Sequence, residues 1–181
     1  SLSMEIGQVA SANLRTGATG TLALTTNPAF TVASPAPTSA SVGANIGGDA
    51  SGAVGGNLVL TSATPTFDVP ASDAPVDVMV RANLGSPTAL PALTKSGGGT
   101  LALAGTTTVT GATSVTAGGF MIPGGGVLNT SALTANSGTE LSGGSGAVAG
   151  RINAPVTVGG ELNPGSLGYP SPFENPSNTG I

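Results

Sequence analysis

The sequence predicts an all-β chain wound as a parallel β-helix, a β-solenoid whose circuits take roughly 20 residues each. Three observations predict it. Thirty Gly and 14 Pro residues interrupt almost every window before a helical apolar period can build up. Short runs of alternating Leu, Val and Thr recur, bounded by Gly, Asn, Pro and Ser, which is the pattern of brief strands. Finally, a Gly followed closely by a large apolar residue returns at Leu101, Phe120, Leu141 and Leu162, with separations of 19, 21 and 21.

That last spacing is the decisive one. A circuit of about 20 residues closes on itself, and the next circuit stacks upon it as parallel strands about 4.8 Å away. Gly turns the corners, inward Leu, Val, Ile and Phe share one core, and outward Thr stiffens the strands without adding charge. At this period about nine circuits fit the chain, a rod on the order of 43 Å long.

Taken in order, residues 1–92 read as irregular solenoid circuits with Pro-rich loops. "TLAL" (Thr21–Leu24) and "NLVL" (Asn57–Leu60) are related to the second "TLAL" (Thr100–Leu103), and each is followed at a similar distance by Phe30, Phe67 or Val109. The gaps Leu22–Leu58 (36) and Leu58–Leu101 (43) suit two circuits each. "NPAFTVASPAPTSA" and "TPTFDVPASDAPVD" carry Pro where it would break central pairing, and read as protruding loops. A β-sandwich is the competing reading for this half. Residues 93–165 form the regular repeat, in which Val115, Leu133 and Val156 each precede a Thr on a second strand. Residues 166–181 read as an extended Pro-rich tail.

Composition excludes several functions. Only 7% of residues are charged and 3% aromatic, but 39% are apolar and mean hydropathy is +0.30, so the chain should fold. Four scattered basic residues, Arg15, Arg81, Lys95 and Arg151, make no patch for nucleic acid. A net charge of -4 gives no attraction to anionic membrane, and no apolar run reaches membrane-span length. The first residues lack the pattern of a signal peptide, so an export signal would lie outside them. The absence of Cys removes disulfides, thiolate metal sites and a Cys nucleophile.

Candidate chemistry is sparse. Asp68, Asp73 and Asp77 cluster in a Pro-rich stretch where a Ca²⁺ ion is conceivable, against the plainer reading of a solvated loop. Asp49 in "GGDASG" only partly matches a calcium-binding repeat. Glu140 and Glu161 should point outward at equivalent places on successive circuits, an arrangement open to carbohydrate chemistry but lacking a supporting His or Arg. "GGSGAVAG" (143–150) lacks the following helix that a phosphate loop needs. Thr106, Thr108 and Thr110 alternate onto one face, but a single such ladder is explained by β-propensity. Phe30, Phe67, Tyr169 and Phe173 could stack on sugars, whereas Phe120 fits the core pattern. No catalytic, cofactor-binding or metal residue is assigned, and no cofactor is expected.

The stretch "LTKSGGGTLAL", followed by "TTTVTGATSVT" and "AGGFMI", resembles the autotransporter-associated β-strand repeat of bacterial passenger proteins. "GTELSGGSGAVAGRINAPVTVGGELNPG" (138–165) is similar to the passenger continuation, and "GNLVLTSATPTFDV" to segments that precede the repeat. The match covers roughly residues 55–165. Val109 and Phe120 depart from the family's usual Tyr and Leu-type residue. No translocator barrel accompanies the repeat, which implies a fragment, a processed product or another export route. The resemblance implies a right-handed parallel β-helix on the bacterial surface or outside the cell, without catalytic residues. The expectation is therefore a non-enzymatic structural or adhesive element. The alternatives are a self-assembling filament subunit joined through solenoid ends or tail, and a carbohydrate-binding or carbohydrate-active β-helix.

Overall fold

A computed structural model of the protein describes residues 2–6, 12–32, 42–49, 51–85, 88–144 and 148–163. These residues contain strands and turns only, and no helix long and apolar enough to cross a membrane. The first coil consists of β1 (Ser3–Ile6), β2 (Ala12–Leu14) and β3 (Thr21–Leu24), and the second of β4 (Ala29–Val32), β5 (Val42–Ile46) and β6 (Asn57–Leu60). The third has β7 (Thr66–Asp68), β8 (Val76–Val80) and β9 (Asn83–Leu84), and the fourth β10 (Leu93–Ser96), β11 (Thr100–Leu103) and β12 (Thr106–Thr108). The fifth has β13 (Ala112–Val115), β14 (Gly119–Ile122) and β15 (Val127–Asn129), and the sixth β16 (Ala132–Ala135), β17 (Glu140–Gly143) and β18 (Arg151–Asn153). β19 (Val156–Val158) and β20 (Glu161–Asn163) begin a seventh.

Each coil places one strand in each of three sheets, and successive coils pair in parallel. The first sheet runs β1-β4-β7-β10-β13-β16-β19, the second β2-β5-β8-β11-β14-β17-β20, and the third β3-β6-β9-β12-β15-β18. This is the predicted β-solenoid. The predicted ladder is also present: Leu101 pairs with Phe120, Phe120 with Leu141, and Leu141 with Leu162. The first half continues the same three sheets, so the sandwich alternative is ruled out.

Coil number differs from the expectation of nine: six coils are complete among the described residues. Leu22 pairs directly with Leu58, so the 36-residue gap is one wide circuit, not two. Leu58 pairs with Leu84, and Leu101 lies in a different sheet, so the 43-residue gap is not a whole number of circuits. Loops between strands expand these circuits while the stacked strands stay short. The two identical "TLAL" segments likewise fall in different sheets, β3 in the third and β11 in the second. A tetrapeptide encodes which side chains alternate; the position of the turns decides which wall it joins.

The Pro-rich segments are not simply loops. β4 lies in the first and β7 and the start of β8 in the second, with Pro28, Pro65 and Pro75 immediately before the three strands. Proline there fixes the corner without removing a ladder donor from strand interiors. The part of the first segment at residues 33–40, and the predicted tail, lie outside the described residues.

Alternation within each strand drives one set of side chains into a single core. In the third sheet the inward column is Leu22, Leu58, Leu84, Thr107, Leu128 and Ile152. In the first sheet it includes Phe67, Lys95, Val115, Ala135 and Val158. Val115 thus stands one pair away from the column of Leu133 and Val156, whose fifth-coil member is Thr113. The polar Thr113 fits because its hydroxyl donates to Thr130 Oγ1 at 3.0 Å, satisfying it inside the wall.

Two substitutions test the shared core. Phe120 is fully buried in mid-stack, so Phe120→Ala is expected to cost about 3–5 kcal/mol in denaturant unfolding. Val156 is 43% exposed in the last described coil, and Val156→Ala should change stability by no more than about 0.5 kcal/mol. Equal losses would contradict a core built by stacking.

Candidate functional site

Lys95, the chain's single lysine, faces inward from β10 and is fully buried. Its column neighbours are Phe67 and Val115. The Nζ donates to the carbonyls of Ser96 (2.7 Å), Gly97 (2.8 Å) and Ala117 (3.0 Å). Three acceptors match the three protons of an ammonium group. One of these carbonyls ends β10, one opens the corner after it and one belongs to the same corner a coil later, so Lys95 ties stacked corners together from inside. Burial pushes its pKa from 10.5 down to about 8, opposed by the negative charges of Asp68 and Asp77. Sequence reasoning missed this role. The available signal was its inward register, two residues after Leu93.

The predicted acidic cluster is dispersed. Asp68 ends β7, is exposed, and accepts a hydrogen bond from Ser96 Oγ at 2.9 Å. Asp73 is exposed in the loop. Asp77 is buried within β8, where its carboxylate accepts from the backbone N–H groups of Ser72 and Thr100, both at 2.6 Å. The solvated-loop reading therefore fails for Asp77. Its carboxylate spans two coils and takes the place of a main-chain carbonyl where the 69–75 loop leaves the ladder. Among the described residues, no group of three or more acids comes together to hold a metal ion.

Glu140 and Glu161 do occupy paired positions on neighbouring coils, with Glu161 exposed and Glu140 half-buried. They lie at one end of an open trough of about 540 Å³ along the corner between the first and second sheets. Its floor is a column of corner glycines, among them Gly98, Gly118, Gly138 and Gly160, and Thr100 stands near the other end. Gly118 adopts φ +69°, and a Cβ there would lie 2.4 Å from the Gly99 carbonyl oxygen. The floor is therefore bare for reasons of backbone packing. No aromatic side chain lines the trough. Phe30 and Phe67 are in the core instead, with ring centroids 6.2 Å apart, so they offer no sugar platform. Tyr169 and Phe173 lie outside the described residues.

A second, smaller cavity of about 190 Å³ opens at the corner that follows the second sheet. Arg15, Arg81, Asn13, Asn45, Asp49 and Ser51 line it, with Gly47 and Gly52. Arg81 donates from Nε to Asn45 Oδ1 (3.0 Å) and from Nη1 to the Gly52 carbonyl (2.7 Å). Asp49 Oδ1 accepts from Ser51 N–H, Ser51 Oγ and Ala53 N–H, which ties Ser51 and Ala53 back onto Asp49. Those bonds, the Ser51 hydroxyl first, hold the Asp49 carboxyl below its usual range.

Comparison with protein-family models, with curated proteins and with solved structures returns no match.

Two predictions follow from the buried charges. Lys95 has a lower pKa folded than unfolded, so the unfolded chain binds more protons between about pH 8 and 10.5. Stability should be insensitive to this group below pH 8 and rise across that window. Lys95→Met should abolish the rise, as read from urea midpoints at pH 7.5 and 10; an unchanged slope would refute it. Separately, Asp77→Ala orphans two backbone donors and is expected to cost at least about 2 kcal/mol. The exposed Asp73→Ala should stay within about 0.5 kcal/mol. Calorimetric unfolding of both variants decides between a structural carboxylate and three equivalent loop acids.

Proposed function

We propose that this chain is a section of an exported bacterial rod of passenger type, serving as a non-enzymatic spacer or adhesive wall. The observation that carries this reading is the unbroken run of three parallel sheets around one core, from the first coil to the last. Such a stack lengthens by adding coils and transmits position along its axis, which suits a spacer. The described strands extend the rod by about 29 Å, taking seven strands at about 4.8 Å spacing. The resemblance of residues 93–122 to the passenger repeat supplies the surface location. In this chain the stretch that carries the resemblance forms β10 to β14 and includes the buried Lys95.

Self-assembly is the second reading. Val156 is 43% and Leu162 56% exposed in the last described strands, and the three sheets terminate there with edges no described residue covers. A copy added end-on would continue the ladders and, being head-to-tail, would build an open filament.

Brief protease treatment of intact cells expressing the native gene tests the surface assignment. Loss of the protein under conditions that spare cytoplasmic markers is expected, whereas full protection in the cytoplasmic fraction contradicts it. Electron microscopy of the purified chain at high concentration separates spacer from filament: dispersed particles alone rule out assembly.

A further inference from the structure

Half of the chain's basic residues meet in one place. The sequence holds four Lys and Arg, and two of them, 66 positions apart, line the 190 Å³ cavity described above. Register explains how. Leu14 pairs with Ile46 and Ile46 with Val80, so the residues that follow, Arg15, Gly47 and Arg81, stand in one column on three successive coils. The two arginine backbones are thus separated by two strand spacings, about 9.6 Å. Gly47 between them has no side chain. Its φ is +87° and a Cβ would meet Ala82 at 2.5 Å, so the gap between the arginines is fixed by the backbone.

The two guanidinium groups are not equivalent. Arg81 is half-buried and braced by Asn45 and the Gly52 carbonyl, which fixes its plane. Arg15 is exposed, and no hydrogen bond or ion pair engages it among the described residues. A fixed guanidinium beside an uncommitted one is suited to closing on an oxyanion, since planar carboxylates accept paired N–H bonds. With Asp49 at the rim, the lining carries two positive charges and one negative. A singly charged anion neutralises that net charge, whereas sulfate or phosphate would leave excess negative charge beside the Asp49 carboxylate. Beside their bonds to Arg81 and Asp49, the Asn45 amide nitrogen and the Ser51 hydroxyl oxygen keep hydrogen-bonding capacity that matches a ligand rich in hydroxyls. A volume of 190 Å³ is small for a whole drug-sized molecule, and sized for one residue of a longer ligand.

We propose that the Arg15–Gly47–Arg81 column binds the carboxylate of a uronic-acid sugar, with Asn45 and Ser51 meeting its hydroxyls. This site lies on a different corner from the Glu140–Glu161 trough. It does not depend on the chain being a surface rod, since it rests on the cavity alone.

Amide chemical-shift titration of the full chain with glucuronate, glucose, acetate and sulfate tests it. Saturable shifts confined to Asn13–Arg15, Gly47–Gly52 and Arg81 are expected with glucuronate, and none with glucose. Arg15→Gln, which removes no internal bond, should weaken glucuronate about tenfold or more, in line with loss of a charge-assisted hydrogen bond. It should leave the unfolding midpoint unchanged, and Arg151→Gln should bind as the parent does. Absence of saturable shifts with glucuronate, or glucuronate binding indifferent to Arg15→Gln, overturns the proposal. Acetate or sulfate binding as tightly as glucuronate also overturns it, by showing an anion site blind to the sugar.

Discussion

The structure depends on one constraint: each inward side chain must fit the inward side chains of the coils above and below it, about 4.8 Å away. No coil encloses enough apolar surface to be stable by itself, so the core exists only as columns. This explains why Leu, Val, Ile and Phe occupy most inward sites, and why a buried polar side chain such as Thr113 or Lys95 brings a hydrogen-bond partner with it. Thr113 has Thr130, buried Asp77 has one backbone amide from the 69–75 loop and one from the start of β11, and Lys95 has three carbonyls. Each polar inclusion sits where a turn has pulled main-chain groups out of the regular ladder. The buried charge is therefore a repair of the backbone, made by a side chain of suitable length.

The same constraint divides corners from walls. Walls are held by repeating parallel hydrogen bonds and tolerate many small or β-branched residues. Corners must stack backbone upon backbone, which is why glycines there face carbonyls too close for a methyl group. Both cavities described above, formed by described residues, lie at corners and are lined by glycine. One gathers carboxylates and the other guanidiniums. Any chemistry this rod offers its surroundings is thus located by the packing needs of its turns.

Much of the fold was legible from residues alone. The 19- and 21-residue spacing of Leu101, Phe120, Leu141 and Leu162 is the register of the second sheet. Circuit size in the first half was not legible, because loops of any length can join strands whose own length carries the stacking signal. Leu22 and Leu58 look like members of skipped circuits until their pairing is seen. The sites were harder still. Asp77 and Asp73 are four residues apart and chemically alike, but Asp77 is bonded within β8 whereas Asp73 stays exposed in the loop before it. Arg15 and Arg81 give no sign of proximity in the chain, since two wide circuits of unequal loops separate them. Glu140 and Glu161 were predictable as neighbours because both precede a residue of the regular ladder.

The burial of Lys95 has a practical side. It carries the only side-chain amine in the sequence, and the core seals it away. Reagents that couple to lysine, from biotin esters to aldehyde fixatives, find no side-chain handle on the folded rod. Proteases that cut after lysine meet a closed wall until a coil opens. One lysine engineered at a chosen face would therefore be the single accessible lysine side chain of the folded rod.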